Sequence, residues 1–488
     1  MDVFKLYIDG QFTDGAAQFS SLNPATAEPW ATIAEARRDE VNRAVEAASR
    51  AFGSESWRAM TAGARGKLLL RLADLIEKHA DRLARIETLD TGKIIRETKA
   101  QIAYVAEYYR FYAGLADKMD GATLSIDKAD METWIKREPI GVVAAIVPWN
   151  SQLFLSAVKI GPAIAAGCTL IVKAAETAPA PLLAFAELIH EAGFPPGVCN
   201  IITGFGEECG TPLTTHPLVD HIAFTGGPDT ARHIIRNSAE NLASTSLELG
   251  GKSPFIVFDD ADLESAANAQ VAAIFSASGQ SCVAGSRLLV AEEIKDAFIE
   301  KLIGKVRGIV IGSPEQPETQ FGPLCTIQQK RTIEAVVSRS LEQGARLVIG
   351  HQPIDRPGFY YPPTILDCSN TPQAESVTRE LFGPVLSVLT FKDEAEAIRL
   401  ANGTDYGLAA GIFTQNLTRA HRVTRKLRCG VVWLNTYRAV SPMAPFGGYG
   451  KSGFGREGGI DAALEYTTTK TVWLRTSDEP IDDPFIMR

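Results

Sequence analysis

The chain has 488 residues, a length that one hydrophobic core does not fill and that predicts about two to four domains. Hydrophobic residues make up 45% of it and charged residues 22%, the balance of an ordinary globular protein. The net charge of −9 argues against a general affinity for nucleic acid or for anionic membrane surfaces. We therefore expect neither nucleic acid nor a membrane as a partner.

Seven cysteines are scattered along the chain, and none of them forms a CxxC pair. An odd number without that spacing predicts neither a disulfide framework nor a zinc site, so we expect no metal and a reducing, cytoplasmic compartment. The N-terminus lacks the basic start and the apolar stretch of a secretory signal. No apolar window approaches the roughly 20 residues that a membrane-spanning helix needs.

Helical periodicity dominates residues 39–110, where Val41, Ala44 and Val45 fall on one face. Residues 123–138 alternate in polarity instead. This second pattern predicts an extended arm with an exposed edge, suited to pairing with another subunit.

After the arm, short β-rich runs alternate with helix-length segments. The predicted strands are 141–147, 169–172, 198–202, 221–225, 245–249 and 255–258, with helices at 154–166, 181–192 and 230–241. A second set has strands at 287–291, 346–348, 385–391, 409–413 and 431–434, and helices at 294–306, 327–343 and 394–402. This alternation predicts parallel, doubly wound sheets in two α/β domains. The tail 467–474 is a further β-rich strand, without a visible pairing partner.

Ligands of such sheets bind beyond the carboxyl ends of the strands, so the residues that follow each strand are candidates for function. Pro148-Trp149-Asn150 follows the first strand. Asn150 is able to donate to a developing oxyanion, but taken alone it is more often a helix cap. Lys173 and Glu176 follow the second strand, where such a pair holds ribose hydroxyls or forms a surface ion pair of negligible energy.

Glycine-rich turns follow the next strands. Gly204, Gly206 and Gly210 form a GxGxxxG pattern, and Gly226-Gly227 closes a later strand. Glycines between a strand and a helix let the backbone approach a pyrophosphate at the helix N-terminus. A single turn of this kind is weak evidence, because many glycine turns are only turns.

The strongest candidates are Cys282, in the segment GQSC, and Glu248, in the segment ELGGK. Cys282 follows a small-residue helix and has small neighbours, which leaves its sulfur sterically open. A nucleophile needs the thiolate, hence a pKa below the roughly 8.5 of a free cysteine. Glu248 is a candidate general base if an apolar setting raises its pKa. Taken alone, a cysteine is more often a buried inert thiol, and a glutamate in a β-rich run usually faces solvent.

Together these clusters resemble the aldehyde dehydrogenase superfamily over nearly the whole chain. The matching segments, in the family's order and spacing, are PWN, FTGG, LELGGKSP, GQSCVAGSR, ELFGPV, NTY and PFGGYGKSGFGRE. The resemblance implies an α/β fold with a Rossmann-like cofactor domain, a doubly wound catalytic domain and a small β oligomerisation arm. The cofactor domain would comprise 1–118 and 139–249, the catalytic domain 250–450, and the arm and tail 119–138 and 467–488.

The resemblance also implies the reaction, oxidation of an aldehyde to a carboxylic acid with NAD(P). Cys282 would form a thiohemiacetal and then a thioester. Asn150 and the Cys282 backbone N–H would form the oxyanion hole, and Glu248 would activate water. Lys159 and Glu457 match polar positions that relay protons. Because Glu248 is present, hydrolysis is favoured over transfer to coenzyme A.

In the implied cofactor site, Lys173 and Glu176 hold the adenine ribose, while Glu380 and Phe382 position the nicotinamide ribose and ring. The full set is Ile146, Trp149, Lys173, Glu176, Gly206, Gly210, Thr225, Gly226, Gly227, Thr230, Leu249, Glu380 and Phe382. The Glu176 carboxylate would repel a 2′-phosphate, so we expect NAD to be preferred over NADP. Two positions depart from many family members, which have serine at Gly227 and glycine at Ala231.

The implied substrate pocket is mostly apolar and aromatic and suits an aliphatic, aromatic or heterocyclic aldehyde. Its residues are Trp149, Phe154, Leu155, Val158, Val283, Tyr437 and Phe446. Arg438 is a candidate for binding a carboxylate or polar tail, with a solvated surface arginine as the alternative. The arm and the tail strand imply a homodimer or a homotetramer.

Two other classes of protein fit parts of the pattern. A cofactor-free cysteine hydrolase would use Cys282, but it usually needs a histidine base, and none of the seven histidines is near Cys282 or Glu248 in sequence. A non-catalytic structural protein that kept the fold would place no demand on Cys282, Glu248 or Asn150. The aldehyde dehydrogenase interpretation accounts for all of them.

Overall fold

The structure is a computed structural model, and it describes residues 1–486. Positions 487 and 488 of the predicted tail lie outside the described residues. The N-terminal part consists of β1 (Asp2–Phe4), β2 (Leu6–Ile8), β3 (Gln11–Thr13), β4 (Ala17–Asn23), β5 (Glu28–Glu35), α1 (Arg38–Gly53), α2 (Glu55–Arg58), α3 (Ala62–Lys78), α4 (Ala80–Thr91) and α5 (Ile95–Leu115). The stripe of Val41, Ala44 and Val45 on α1 is buried, as its helical spacing predicts.

The next part begins with two strands and continues as alternating strands and helices. Its elements are β6 (Ala122–Leu124), β7 (Met131–Pro139), β8 (Val142–Ile146), α6 (Gln152–Ala166), β9 (Thr169–Ala174), α7 (Ala180–Glu191), β10 (Cys199–Thr203), α8 (Thr211–Thr214), β11 (His221–Thr225), α9 (Pro228–Asn241) and β12 (Ser244–Glu248). Strands β8 to β11 are almost entirely buried, as expected for strands with helices on both faces.

The remaining part repeats the alternation. Its elements are β13 (Pro254–Val257), α10 (Leu263–Phe275), β14 (Arg287–Ala291), α11 (Lys295–Arg307), α12 (Ile327–Glu342), β15 (Arg346–Ile349), β16 (Thr364–Asp367), α13 (Glu375–Thr378), β17 (Val385–Phe391), α14 (Glu394–Ala401), β18 (Tyr406–Gly407), β19 (Ala409–Phe413), α15 (Leu417–Thr424), β20 (Val431–Leu434), β21 (Tyr449–Gly450), β22 (Gly453–Phe454), α16 (Gly459–Glu465) and β23 (Thr467–Arg475).

The first large sheet has eight strands in the order β22-β12-β11-β8-β9-β10-β2-β3. The five strands from β12 to β10 are parallel, and the outer strands are antiparallel. The chain winds outward from β8 through β9 to β10, then returns to the other side of β8 for β11 and β12. This reversal between β8 and β11 is the switch point at which doubly wound sheets bind dinucleotides.

The second large sheet has seven strands in the order β15-β16-β17-β14-β13-β19-β20, all parallel except β15. Phe255 and Val257 of β13 belong to one hydrophobic cluster, while Ile256 and the adjoining Phe258 belong to another. Successive residues of a strand point to opposite faces, so both faces of this sheet are covered. The fold is therefore α/β with two doubly wound sheets, which confirms the predicted fold class.

The position of 255–258 was predicted in two ways. The run of β-rich segments grouped it with the strands of the first sheet, whereas the implied domain boundary after residue 249 put it with the second. Strand β13 pairs with β14 and β19 in the second sheet, so the grouping by spacing is wrong. Only a short glycine-containing segment separates β12 from β13, and strand periodicity carries no information on where the chain crosses between sheets. Strands β1 to β5 and β16 were not predicted.

A small third sheet contains the predicted arm. Strand β23 runs antiparallel to β7 along its whole length, from Thr467 opposite Pro139 to Arg475 opposite Met131, and β6 pairs with the other edge of β7. The tail strand thus has the partner that its sequence did not reveal. Within residues 1–486, no helix combines the length and apolar character needed to cross a membrane.

Candidate active site

A cavity of about 720 Å³ opens at the carboxyl ends of β8, β9, β11 and β12, beside the switch point of the first sheet. Every residue of the predicted cofactor set lines it, and so do Asn150, Glu248, Cys282 and Leu155. Its size is typical of a small-molecule or cofactor site. The structure therefore brings the predicted cofactor residues and the proposed nucleophile, base and amide to one cavity.

One wall of the cavity is the turn between β11 and α9. The Gly226 N–H donates to the Glu248 carbonyl over 3.0 Å, which joins the ends of β11 and β12. Gly227 is the N-cap of α9, and no side chain caps its first turn, so the free backbone N–H groups there suit an anion. Ala231, the second departure from the family pattern, is buried in the helix.

A second wall carries Lys173 and Glu176 after β9. Lys173 is buried, and its Nζ lies 3.2 Å from the Ala174 carbonyl and 3.5 Å from Glu176 Oε2. The Glu176 side chain is 40% exposed. A buried lysine does not match the alternative of a solvated surface pair, and the two side chains offer a donor and an acceptor to the cavity.

The opposite end of the cavity is formed by the segment around Glu380 and Phe382. Glu380 Oε1 accepts from the Gly251 N–H over 3.0 Å, and a Cβ on Gly250 would collide with the same carboxylate. Burial raises the pKa of Glu380 to about 7. The Phe382 ring packs edge-on against Trp149 with ring centroids 5.4 Å apart.

Cys282 lies at this end, after the short turn Ser276–Gly279 that follows α10. Ala277, Ser278 and Gly279 all have left-handed backbone angles, with φ of 52°, 53° and 74°. Cys282 is half-buried and lines the cavity. Burial, together with the carboxylates of Glu380, Glu248 and Glu457, raises the pKa of Cys282 to about 12. The lowered pKa expected from the sequence for a nucleophilic cysteine is therefore wrong for this structure, and a nucleophilic Cys282 needs a base to remove its proton.

Asn150 comes from the segment between β8 and α6. Ser151, not Asn150, is the N-cap of α6. The Asn150 Nδ2 donates instead to the Gln280 carbonyl over 3.1 Å, two residues before Cys282. Asn150, which taken alone is more often a helix cap, therefore binds the segment that carries Cys282.

Glu248 ends β12 and is buried. Neither of its carboxylate oxygens has a hydrogen-bond partner among residues 1–486, and a Cβ on Gly447 would lie 2.6 Å from Oε1. Burial and the neighbouring Glu457 raise its pKa well above the ordinary value. A buried, unpaired carboxylate is costly to keep, and its raised pKa is that of a proton acceptor rather than of a surface glutamate.

Lys159 and Glu457 form a buried ion pair beside Glu248. Glu457 Oε1 also accepts from Thr225 Oγ1 over 3.2 Å. The pair acts electrostatically on Glu248, with Glu457 raising its pKa and Lys159 lowering it. The backbone of Glu457 is joined to that of Phe446 by two N–H···O hydrogen bonds of 2.6 and 2.7 Å.

The other predicted pocket residues surround this region without lining the cavity. Phe154 packs edge-on against Tyr108 at 5.1 Å, and Val158 is buried next to Lys159 on α6. The Tyr437 hydroxyl donates to the Val283 carbonyl over 3.0 Å, directly after Cys282. Arg438 donates to the Ala272 carbonyl over 3.3 Å, and its positive charge opposes the rise in the pKa of Cys282.

Sequence reasoning missed several residues that shape the site. Gln329 on α12 donates to the Phe382 carbonyl over 3.1 Å. Glu465 on α16 accepts from the Arg456 N–H over 2.6 Å, and burial raises its pKa to about 7. Gln280 lies in the GQSC segment next to Cys282, so its position in the site could have been predicted from the sequence. Gln329 and Glu465 belong to no motif quoted for the family, so nothing local pointed to them.

A half-buried cysteine, an unpaired buried carboxylate and an amide share one end of a cavity at the switch point of a doubly wound sheet. This arrangement defines a class: enzymes that form a covalent intermediate beside a bound nucleotide cofactor. Among the residues lining the cavity, the only histidine is His233, and it is exposed on α9. Within residues 1–486, no three or more His, Cys, Asp or Glu side chains are grouped to hold a metal ion.

Comparison with known proteins gives the family. The profile of the aldehyde dehydrogenase family matches residues 12–472. A (Z)-2-((N-methylformamido)methylene)-5-hydroxybutyrolactone dehydrogenase of Acinetobacter baylyi is 68% identical over 488 residues, covering 100% of both chains. Aldehyde dehydrogenase 1 of Tanacetum cinerariifolium is 44% identical over 480 residues, covering 98% and 96%. The NAD⁺ complex of an aldehyde dehydrogenase from Bacillus cereus has a TM-score of 0.96 and 40% identity, covering 98% and 97%.

The chain belongs to the aldehyde dehydrogenase family. It is an NAD(P)-dependent oxidoreductase that oxidises an aldehyde. The resemblance drawn from the motifs is thereby confirmed, and neither a cofactor-free hydrolase nor a structural protein is needed to explain the site.

Proposed function

We propose that Cys282 is the nucleophile of this enzyme, that Asn150 and the Cys282 N–H stabilise the oxyanion, and that Glu248 is the general base. The observation that carries the proposal is their meeting at one end of the cavity, with the unpaired Glu248 carboxylate beside Cys282. The domain boundaries and the roles of the individual site residues are part of the same proposal.

In the first step the Cys282 Sγ bonds to the aldehyde carbon and its proton passes to Glu248. The carbonyl oxygen becomes an oxyanion that accepts from Asn150 Nδ2 and the Cys282 N–H, which stabilise it as the charge develops. When bound, an oxidised nicotinamide would supply the acceptor for the hydride that leaves the thiohemiacetal carbon, and the product on Cys282 would be a thioester. The fixed positions of Cys282 and Asn150 are the chain's contribution to that transfer.

In the second step Glu248 removes a proton from a water molecule that attacks the thioester carbon. The C–S bond breaks, Cys282 leaves as the thiolate, and the carboxylic acid is released. Glu248 must lose a proton between the two steps. The adjacent Lys159–Glu457 pair is the proposed exit, because its charges already act on the Glu248 carboxyl group.

The residues present fit a dinucleotide cofactor. Lys173 and Glu176 would hold one ribose, the uncapped start of α9 after Gly227 the pyrophosphate, and Glu380 the second ribose. The fit is supported by Gly250, whose missing Cβ leaves the space that the Glu380 carboxylate occupies. Where Gly227 replaces a serine, a hydroxyl contact is lost, but the backbone N–H groups of α9 remain.

We expect NAD to be preferred over NADP. Glu176 is partly exposed at the cavity, and a carboxylate there repels a 2′-phosphate. Replacing it by Glu176→Gln should raise kcat/KM with NADP by roughly fivefold, the effect of about 1 kcal/mol of unscreened repulsion at short range in water. A wild-type enzyme with higher kcat/KM for NADP than for NAD would contradict the preference.

The proposed substrate is a small aldehyde that carries a carboxylate. The Acinetobacter relative is named for a 5-hydroxybutyrolactone, and such a ring is the closed form of a 4-oxo acid. Arg438 lies near enough to Cys282 for its charge to act on the sulfur, so it is placed to bind the carboxylate of the open form. The side chains predicted for the substrate pocket are mostly apolar with one arginine, a combination that fits this substrate class better than a neutral aldehyde.

The first test is reduced-nicotinamide formation with NAD and NADP against 4-oxobutanoate, butanal, benzaldehyde and a pyridine aldehyde. Cys282→Ala should abolish turnover of all of them, and turnover that survives in it would overturn the proposed chemistry. Arg438→Gln should raise KM for 4-oxobutanoate by roughly tenfold or more, with KM for butanal unchanged, because only the acid loses a charged partner. Equal effects on both aldehydes would remove the substrate proposal and leave the mechanism standing.

The assembly and location are proposals as well. The three-stranded sheet of β6, β7 and β23 leaves strand edges that suit pairing with another subunit, which supports a homodimer or homotetramer. A cytoplasmic location follows only from the cysteine pattern and stays a prediction.

A further inference from the structure

Lys93 lies between α4 and α5 and is buried far from solvent. Its Nζ lies 2.5 Å from Glu87 Oε1, 2.7 Å from Gln101 Oε1 and 3.2 Å from Ser151 Oγ. Ser151 directly follows Asn150 and makes no capping bond to its own helix. Lys93 therefore holds the segment that carries one of the two proposed oxyanion donors.

Glu97 lies one helical turn further on, at the start of α5. Both of its carboxylate oxygens accept from the Ala277 backbone N–H, over 3.0 and 3.1 Å. Ala277 opens the left-handed turn that leads to Cys282. Glu97 therefore holds the segment that carries the other proposed donor, the Cys282 N–H.

The two held segments are joined to each other. Asn150 Nδ2 donates to the Gln280 carbonyl over 3.1 Å, and the Gln280 side chain accepts from the Cys325 N–H over 2.8 Å. Ser278 in the turn also donates to the Gly322 carbonyl over 2.9 Å. The contacts thus form a ring that begins at Lys93, just before α5, and ends at Glu97 on the first turn of α5.

We propose that Lys93 and Glu97 form a brace, the α5 brace, that fixes the distance between the Asn150 amide and the Cys282 N–H. The inference rests on the proposed roles of Asn150 and Cys282. Neither brace residue touches the reacting atoms, so both are positioning residues. They act on two segments that belong to different parts of the chain, and they add side-chain contacts to the local backbone bonds of Ser151 with Leu155 and of Ala277 with Gln280.

The geometry makes such a brace necessary. Two non-glycine residues in left-handed conformation, Ala277 and Ser278, are disfavoured unless the surroundings fix them. An oxyanion hole made of donors from two segments works only if both stay in place, because a misplacement of about 1 Å can cost on the order of 100-fold in rate. The brace supplies a charged partner for each segment, Lys93 from the turn before α5 and Glu97 from the first turn of α5.

The test compares brace variants in the full-length enzyme. Glu97→Ala removes one contact. Glu87→Gln with Lys93→Met removes the other without leaving an unpaired buried carboxylate. Arg96→Ala is the matched control, because Arg96 is on the same turn and donates to the Thr319 carbonyl over 2.9 Å, not to either donor segment. For each variant we would measure kcat, KM for NAD and cofactor-free hydrolysis of p-nitrophenyl acetate.

We expect both brace variants to lose roughly 10- to 100-fold in kcat and in ester hydrolysis together, because both reactions use the oxyanion hole. KM for NAD should stay within about twofold, since the cofactor residues are untouched. Glu97→Gln keeps an acceptor oxygen for the Ala277 N–H, so its kcat and its rate of ester hydrolysis should lie between those of the wild type and of Glu97→Ala. If the alanine variant does not fold, the glutamine variant is used for the test. The Arg96→Ala control should keep wild-type rates.

Brace variants with wild-type kcat and ester hydrolysis would overturn the proposal, as would losses no larger than that of Arg96→Ala. Cys282→Ala, assayed in parallel, distinguishes failure of the brace proposal from failure of the proposed function. If it is inactive while the brace variants are normal, only the brace is wrong. If Cys282→Ala still oxidises aldehydes, the proposed function itself fails.

Discussion

Glu248 is set apart from the other carboxylates of the chain by its surroundings. It is buried at the end of β12, no hydrogen bond satisfies it within residues 1–486, and Glu457 lies close enough to raise its pKa further. These surroundings disfavour the charged form, which is how a carboxyl group becomes a base at neutral pH. The same residue in a solvated strand would keep an ordinary pKa and would be a weaker base.

Glu248→Gln should therefore separate the two halves of the reaction. Acylation of Cys282 would continue at a reduced rate, while hydrolysis of the thioester slows by roughly 10²- to 10⁴-fold, the usual contribution of a general base. The readout is a stopped-flow trace of reduced nicotinamide, with a burst of about one equivalent followed by a slow steady state. A variant with wild-type steady-state turnover would show that another group activates the water.

Cys282 offers a prediction on pH. Because burial and nearby carboxylates raise its pKa to about 12, only a small thiolate fraction exists at neutral pH, and that fraction grows as the pH rises. The rate of Cys282 alkylation by iodoacetamide, a neutral reagent, should increase about tenfold per pH unit between roughly pH 7 and 10. Cys282→Ala gives the background from the other cysteines, and a plateau below pH 9 would show that the thiol titrates normally.

At the scale of elements, most strands and helices of the two large sheets were predictable. Those predicted lie within a few residues of their observed bounds, because apolar runs of that length carry a clear pattern. Strand β16 and helix α15 were not predicted, and neither were β4 and β5, although these have 7 and 8 residues. Strands β1 to β3 have only three residues each, too few to show a period. The crossing between β12 and β13 agrees with the domain boundary that the family resemblance implied, but the spacing of the strands did not show it, because sheet membership is set by tertiary packing.

Element packing yields a prediction on stability. Arg287 at the start of β14 is buried, and its guanidinium donates to the carbonyls of Lys252, Leu400 and Ala401 over 2.7 to 2.8 Å. It thereby satisfies the last carbonyls of α14, which the helix itself leaves free. Arg287→Met should lower the free energy of unfolding by about 3 kcal/mol, because the carbonyls of Lys252 and Ala401 lose their donor, while Leu400 still accepts from the Gly403 N–H.

Urea unfolding followed by tryptophan fluorescence, at one protein concentration, measures this loss. The control is Arg339→Met, which removes a bidentate but exposed pair with Glu375. An exposed pair contributes less than about 1 kcal/mol, so the control should unfold near the wild-type midpoint. Equal midpoints for the two variants would mean that Arg287 does not stabilise the junction between β14 and α14.

At the scale of the whole molecule, the proximity of the proposed catalytic residues could be predicted from the sequence, but the residues that position them could not. Asn150, Glu248 and Cys282 each follow or end a predicted element, and carboxyl ends of parallel strands meet at one edge, so their proximity could be inferred. Lys93 and Glu97 carry no such signal. They act across the molecule through side-chain contacts to residues far away in the chain, and such contacts become visible only when the helices are packed.

The assembly is the remaining question at this scale. Strand β23 exposes Trp473 and Leu474 by 56% and 46%, on a small sheet whose apolar side chains have little else to pack against within residues 1–486. Strand β20 ends the second large sheet and leaves an open edge. Exposed strand edges and large apolar side chains on one arm are typical of a subunit interface, since isolated edges promote uncontrolled pairing.

Trp473→Glu with Leu474→Glu should therefore shift the enzyme from a dimer or tetramer to a smaller species in size-exclusion chromatography with light scattering. Two apolar side chains buried at an interface contribute roughly 3–6 kcal/mol, and a buried unpaired carboxylate adds a penalty. Leu417→Glu is the control, because Leu417 is 71% exposed on α15, away from the arm. If the arm variant keeps the wild-type mass, the interface lies elsewhere. If the wild type is already a monomer, the arm closes on its own chain and the oligomer prediction is wrong.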